Sequence, residues 1–256
     1  MRSKTTANGR RITTRGLVTG LLLLAMTPTL ATAKPSVSLT LPSVVDAGAA
    51  IPFSWGSYGA PVGSRLVLQR QQGTAGVWRS VSGLTGPSGT GQLPGLGIGT
   101  YRLRVANLRR RNKVRAQQSR PLAAFGNVPF STLFGTGRSG VYSMPDRAFA
   151  YVLNFYMGGR GSEPAFTVSQ NRCRSVHMDF VPGHDFDQTG MTATVSVVQQ
   201  SLDPVTVTTP YNTVASLDAA LVRGQAWSVL LSQTPGNAFD IYVNGFASCS
   251  SVAPFR

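Results

Sequence analysis

Apolar and polar residues alternate one by one along short segments of this chain, and glycine or proline breaks the pattern every few residues. Tyr101, Leu103 and Val105, for example, alternate with Arg102 and Arg104. A side-chain period of two puts the three apolar groups on one face of an extended strand and both arginines on the other. With 28 glycines and 16 prolines in 256 residues, little uninterrupted chain is left in which a helix could propagate. The pattern predicts an all-β protein of two β-sandwich domains. Strands are expected at 36–41, 51–55, 65–71, 77–81, 89–93, 101–106 and 113–120 in the first domain. In the second they are expected at 148–156, 165–168, 175–181, 192–199, 205–209, 216–221, 226–232 and 240–247. The strand at 65–71 leaves its inward side open, because Leu66 and Leu68 share a face with Arg70 while Val67 lies between Arg65 and Gln69.

Residues 1–33 read as a secretory signal. Arg2, Lys4, Arg10, Arg11 and Arg15 form a basic start, Leu17 to Met26 an apolar centre, and Ala31-Thr32-Ala33 a small-residue cleavage site. An apolar stretch of about ten residues is too short for a bilayer span, which needs about 20, and no later run approaches that length. The expectation is a secreted, extracellular protein associated with the cell wall. Its charge is unevenly placed. Residues 34–125 carry twelve Arg or Lys against the single Asp46, whereas 126–256 carry seven Arg against eight acids. That shift marks a boundary. The expected division is a first domain at 34–120, a linker at 121–134 and a second domain at 135–256.

The runs Arg65-Leu-Val-Leu-Gln-Arg70, Val77-Trp78-Arg79-Ser-Val81 and Gly99-Thr-Tyr101-Arg-Leu103-Arg-Val105 resemble the bacterial immunoglobulin-like repeats of secreted and surface proteins. The resemblance implies an immunoglobulin-like sandwich, with Tyr101 placed as a tyrosine-corner residue. Further on, Ser175-Val-His-Met-Asp-Phe-Val181, Gly183-His-Asp-Phe-Asp-Gln-Thr-Gly190 and Ala193-Thr-Val-Ser-Val-Val198 resemble the family of novel carbohydrate-binding modules. That resemblance implies a galactose-binding-like jelly roll and a glycan partner.

Cys173 and Cys249 are the only cysteines, and export would carry them into an oxidising compartment, so a disulfide is expected. Closing so long a loop restricts the unfolded chain by about 4 kcal/mol. The densest polar cluster, His177, Asp179, His184, Asp185 and Asp187, holds both histidines. Its imidazoles and carboxylates have the chemistry of a transition-metal site, and Asp185 with Asp187 could take calcium beside carbonyl oxygens. The other reading is plain: His177 and Asp179 alternate with Val176, Met178 and Phe180 as the solvent face of a strand, and Asp185 and Asp187 serve a turn. No catalytic residue is nominated, since G-x-S-x-G is absent and Glu163 is the only glutamate. No cofactor other than calcium is indicated.

The tract Arg109-Arg110-Arg111-Asn112-Lys113-Val114-Arg115 is the other feature above background. Concentrated guanidinium groups pair with carboxylates and phosphates, which makes the tract a candidate polyanion-binding site. The export signal argues against intracellular nucleic acid, and the tract has no interleaved aromatic platform. Trp78, Tyr142, Tyr151 and Tyr156 are candidates to stack on sugar rings, whereas Trp55 and Trp227 belong to the core. The expected function is non-enzymatic binding of extracellular glycan or acidic surface polymer. Two alternatives remain: an extracellular hydrolase depending on a metal or on carboxylates, and a structural spacer.

Overall fold

In the computed structural model, which describes residues 34–60, 62–135, 139–158, 162–169, 171–183, 190–233 and 238–254, the alternating segments are strands. The signal expected at 1–33 lies outside the described residues. The first eight strands are β1 (Ser36–Thr40), β2 (Val44–Asp46), β3 (Ile51–Tyr58), β4 (Arg65–Gln72), β5 (Arg79–Leu84), β6 (Ser88–Leu93), β7 (Gly99–Leu108) and β8 (Val114–Pro129). One antiparallel sheet runs β1-β3-β6, and the other runs β8-β7-β4-β5 with the short β2 parallel to β8. Leu39, Ile51, Phe53 and Leu93 from the first sheet pack with Leu68, Leu103, Val105 and Leu122 from the second. Burial of this kind stabilises by roughly 1.5 to 3 kcal/mol per large side chain.

The ambiguity at β4 resolves because both of its faces are used. Leu66 and Leu68 join the main core, while Val67 closes a small cluster with Ala106 and Leu108 on the other side. Tyr101 donates its hydroxyl to the Gly97 carbonyl at 2.9 Å, four residues upstream. That bond is the tyrosine-corner geometry, and it pins the entry to β7.

The remaining elements are α1 (Phe130–Phe134), β9 (Gly140–Ser143), β10 (Ala148–Tyr151), β11 (Leu153–Gly158), β12 (Ser162–Val168), β13 (Cys173–Gly183), β14 (Thr192–Gln199), β15 (Leu202–Pro210), β16 (Ala215–Ala220), β17 (Trp227–Gln233) and β18 (Ala238–Cys249). A sheet β16-β13-β18, with β11 beside the first half of β18, faces a second sheet β12-β17-β14-β15. Trp227 is 1% exposed and meets Phe166 edge-on, with ring centroids 5.6 Å apart. Cys173 and Cys249 are directly paired in register between β13 and β18, and a disulfide joins them across 76 residues of sequence. The fold is all-β, and no helix among the described residues is long and apolar enough to cross a membrane.

Residues 121–134 are not an irregular linker. Strand β8 continues to Pro129, pairing with β7 as far as Ala124 and with the end of β18 from Gly126 to Pro129. The short helix α1 then follows. Alternation fails as a signal here because Leu122, Ala123, Ala124 and Phe125 are all buried. A strand covered on both faces reads as a continuous apolar run, which by itself does not announce a strand. One hydrogen-bonded sheet therefore spans both sandwiches, and Lys34–Arg256 forms one compact unit.

Candidate functional site

The basic tract forms the hairpin between β7 and β8. Arg110–Asn112 make a tight turn, and the Arg109 amide donates to the Lys113 carbonyl at 3.0 Å. Arg111 and Asn112 both have positive φ, 60° and 57°. Such turns match the twist of a hairpin and favour Asn or Gly, so asparagine at 112 fits and arginine at 111 is strained. Arg65 holds the tip by donating to the Asn112 side-chain oxygen at 2.7 Å. Arg109, Arg111, Lys113 and Arg115 are exposed. Their like charges repel one another and concentrate positive potential at the tip.

Behind the hairpin, the outer face of β5-β4-β7-β8 carries an ordered polar row. Arg104 donates to the Gln69 side-chain oxygen at 2.8 Å and to that of Gln117 at 2.6 Å, and the Gln69 amide reaches Ser80 at 3.4 Å. Partial burial pulls the Arg104 pKa below its ordinary value, yet a guanidinium remains charged at any physiological pH. The same guanidinium lies 4.2 Å from the centre of the Trp78 ring. One π-face of Trp78 is thus occupied by a cation.

The tyrosines nominated for sugar stacking separate. Tyr142 is buried, stacks on Tyr242 at 4.3 Å and donates its hydroxyl to Asn212 at 2.6 Å. Its ring lies so close to Gly183 that a Cβ there would come within 2.2 Å, which is why glycine ends β13. Tyr151 also packs against Tyr242, at 4.7 Å, while Tyr156 is 63% exposed. The four aromatics do not assemble into one platform.

His177 and Asp179 sit on the outer face of β13, opposite Asp218 and Ser216 of β16 and beside Phe246 of β18. The imidazole lies between two carboxylates, with Nδ1 at 2.8 Å from Asp218 and Nε2 at 3.4 Å from Asp179. Desolvation by burial lowers its pKa, but the hydrogen bond to Asp218 and the charges of Asp179 and Asp218 outweigh that, and the net shift is upward. Carboxylates on opposite ring nitrogens do not converge on one point, as metal ligands must. No group of three or more metal-ligating side chains suited to an ion is gathered among the described residues. His184, Asp185 and Asp187 lie outside the described residues.

Sequence reasoning missed the junction. Arg174 of β13 pairs with Asp46, the single acid of residues 34–125, and donates to Ser248 at 3.1 Å. Its guanidinium also lies 5.1 Å from the Phe125 ring, and that of Arg223 lies 5.2 Å from it. Beside them opens a groove of about 720 Å³ that includes Arg172 and Arg223 in its wall. The residues come from five stretches far apart in sequence, so no local pattern could have gathered them.

No protein-family model matches this chain, and no curated protein matches it. Among solved structures, tripeptidyl peptidase 2 is similar over 84% of this chain and 20% of its own, at 8% sequence identity and a TM-score of 0.32. The chain spans about a fifth of that protein's length, and a likeness of this strength carries no argument about function.

Proposed function

We propose that the chain is an exported, non-enzymatic binding protein that adheres to acidic polymer outside the cell, with the hairpin 109–115 as its contact. One observation carries the reading: four exposed cations are held at a hairpin tip whose backbone is strained at Arg111 and tied down by Arg65. Strain of this kind costs roughly 1–2 kcal/mol at a non-glycine residue and persists where something other than stability selects the side chain. Among the described residues, no carboxylate pairs with Arg109, Arg111, Lys113 or Arg115, so their charge is directed outward.

The resemblance to carbohydrate-binding modules supports a glycan as the polymer, and the signal at 1–33 supports an extracellular, wall-associated place. A hydrolytic reading has less support, because both nitrogens of His177 already face carboxylates. The test is retention on polygalacturonate and on purified cell wall at low and high salt, against a neutral polysaccharide. Screening shortens from roughly 10 Å at 0.1 M salt to 3 Å at 1 M, so retention should be strong at low salt and lost at high. Joint replacement of Arg109, Arg111, Lys113 and Arg115 by Gln should cut it sharply. Equal retention of that variant would overturn the proposal.

A further inference from the structure

The groove at the junction of the two sandwiches has the make-up of a second, more selective site. Gln72, Gly73, Ile98, Gly99 and Thr100 of the first sandwich form one wall. Asn171, Arg172, Arg223, Ser250 and Ser251 are on the other. Arg172 and Arg223 are among the residues that line this space, and no acidic residue lines it. The nearby carboxylate, Asp46, is engaged by Arg174. An adjoining hollow of about 570 Å³ shares Gly73, Thr100 and Arg223 with the groove and adds Arg102.

The wall is held in place before any ligand arrives. Arg172 immediately precedes Cys173 and Ser250 immediately follows Cys249, so the disulfide clamps both segments. The Ser250 amide donates to the Arg172 carbonyl at 3.0 Å, and the Gly224 amide to the Asn171 carbonyl at 2.9 Å. Asn171 is buried, and its side chain accepts from the Cys173 amide and donates to the Val222 carbonyl. Arg172 reaches the Ser251 hydroxyl at 3.3 Å, while the Arg223 guanidinium lies over the Phe125 ring.

We infer that this groove binds a uronic-acid unit of an acidic oligosaccharide, with Arg172 and Arg223 taking the carboxylate. A guanidinium fork matches a carboxylate in a bidentate way. The amide and hydroxyl groups of Gln72, Thr100 and Ser251 suit sugar hydroxyls, and Ile98 offers an apolar surface to a ring face. The volume lies within the usual range for a small-ligand site, roughly 300–1,000 Å³, and is far more than an isolated inorganic anion fills. The inference deepens the adhesive reading but rests on different residues, so each can fail alone.

The experiment is calorimetric titration of the whole protein with trigalacturonate, with its methyl ester as the neutral analogue and with inorganic phosphate. Wild type should bind trigalacturonate, bind the ester far more weakly, and show no comparable response to phosphate. The pair Arg172→Gln and Arg223→Gln should weaken binding by about tenfold or more, the scale of one lost charge-assisted hydrogen bond. The four-residue hairpin variant should keep this affinity for the trisaccharide while its retention on polymer falls. Unchanged affinity in the Arg172→Gln, Arg223→Gln protein would remove the groove. Equally tight binding of phosphate would instead make it a plain anion site and overturn the saccharide. Amide NMR shifts at Gly73, Gly224 and Ser251 should accompany binding, and their absence counts against it.

Discussion

The outer sheet faces of the two sandwiches differ although their interiors are built alike. In the first, long side chains lie across the sheet, with Arg104 joining Gln69 and Gln117 and stacking on Trp78. In the second, the face of β12-β17-β14-β15 is covered by short hydroxyls that pair across strands, Thr194 with Thr208 at 2.7 Å, Ser196 with Thr206 at 2.9 Å and Thr167 with Ser228 at 2.8 Å. Away from the doubly buried parts of β4, β7 and β8, both patterns satisfy the same rule, in which every second residue faces the core and the others face water. The inward set is constrained by packing, so it is predominantly apolar in both. The outward set is free of that constraint, and there the first sandwich has acquired cations.

The most severe way to break the comparison is to empty one core and watch the other. Trp227→Ala removes a fully buried side chain from the second sandwich and should cost about 3–5 kcal/mol, and Leu103→Ala in the first about 2–5. Because β8 is hydrogen-bonded into both, each variant should lower a single denaturant transition. Two separated transitions would show that the halves unfold independently. Smaller in energy is Arg111→Gly, which relieves a positive φ and should raise stability by about 1 kcal/mol while weakening polymer retention. A gain without loss of retention would mean that the strained arginine is not kept for binding.

The smallest effect separates the faces by pH. Arginines on the first sandwich do not titrate in the physiological range, whereas His177 on the second does. Its pKa is raised by folding, so its stabilising contribution is complete below the ordinary value of 6.5 and is lost as pH rises through the raised value. Urea denaturation across that window should show stability falling as pH increases. The slope should disappear in His177→Gln, and a slope that persists would assign it to another group.

Much of this architecture was legible beforehand. Tyr101-x-Leu103-x-Val105 placed β7 and its cationic face, and the apolar run at Trp227 placed the centre of the second core. The short strands β2 and β9 were not foreseen, and the expected strand at 148–156 divides at Val152 into β10 and β11. Three or four residues are too few for a period of two to stand out from chance. The basic hairpin was legible as a charge run, but the left-handed backbone under Arg111 was not, because arginine is an uncommon residue there.

Alternation is a local property, carried by neighbouring residues, so sequence alone determined the all-β class, most strand positions and which residues turn outward. Pairing between distant segments is not local. Only the tertiary structure decided that β8 runs through both sandwiches, that Asp46 meets Arg174, and that Thr100, Arg172, Arg223 and Ser251 share one groove. Those meetings depend on how two apolar cores exclude water around a shared strand, which no short window of residues records.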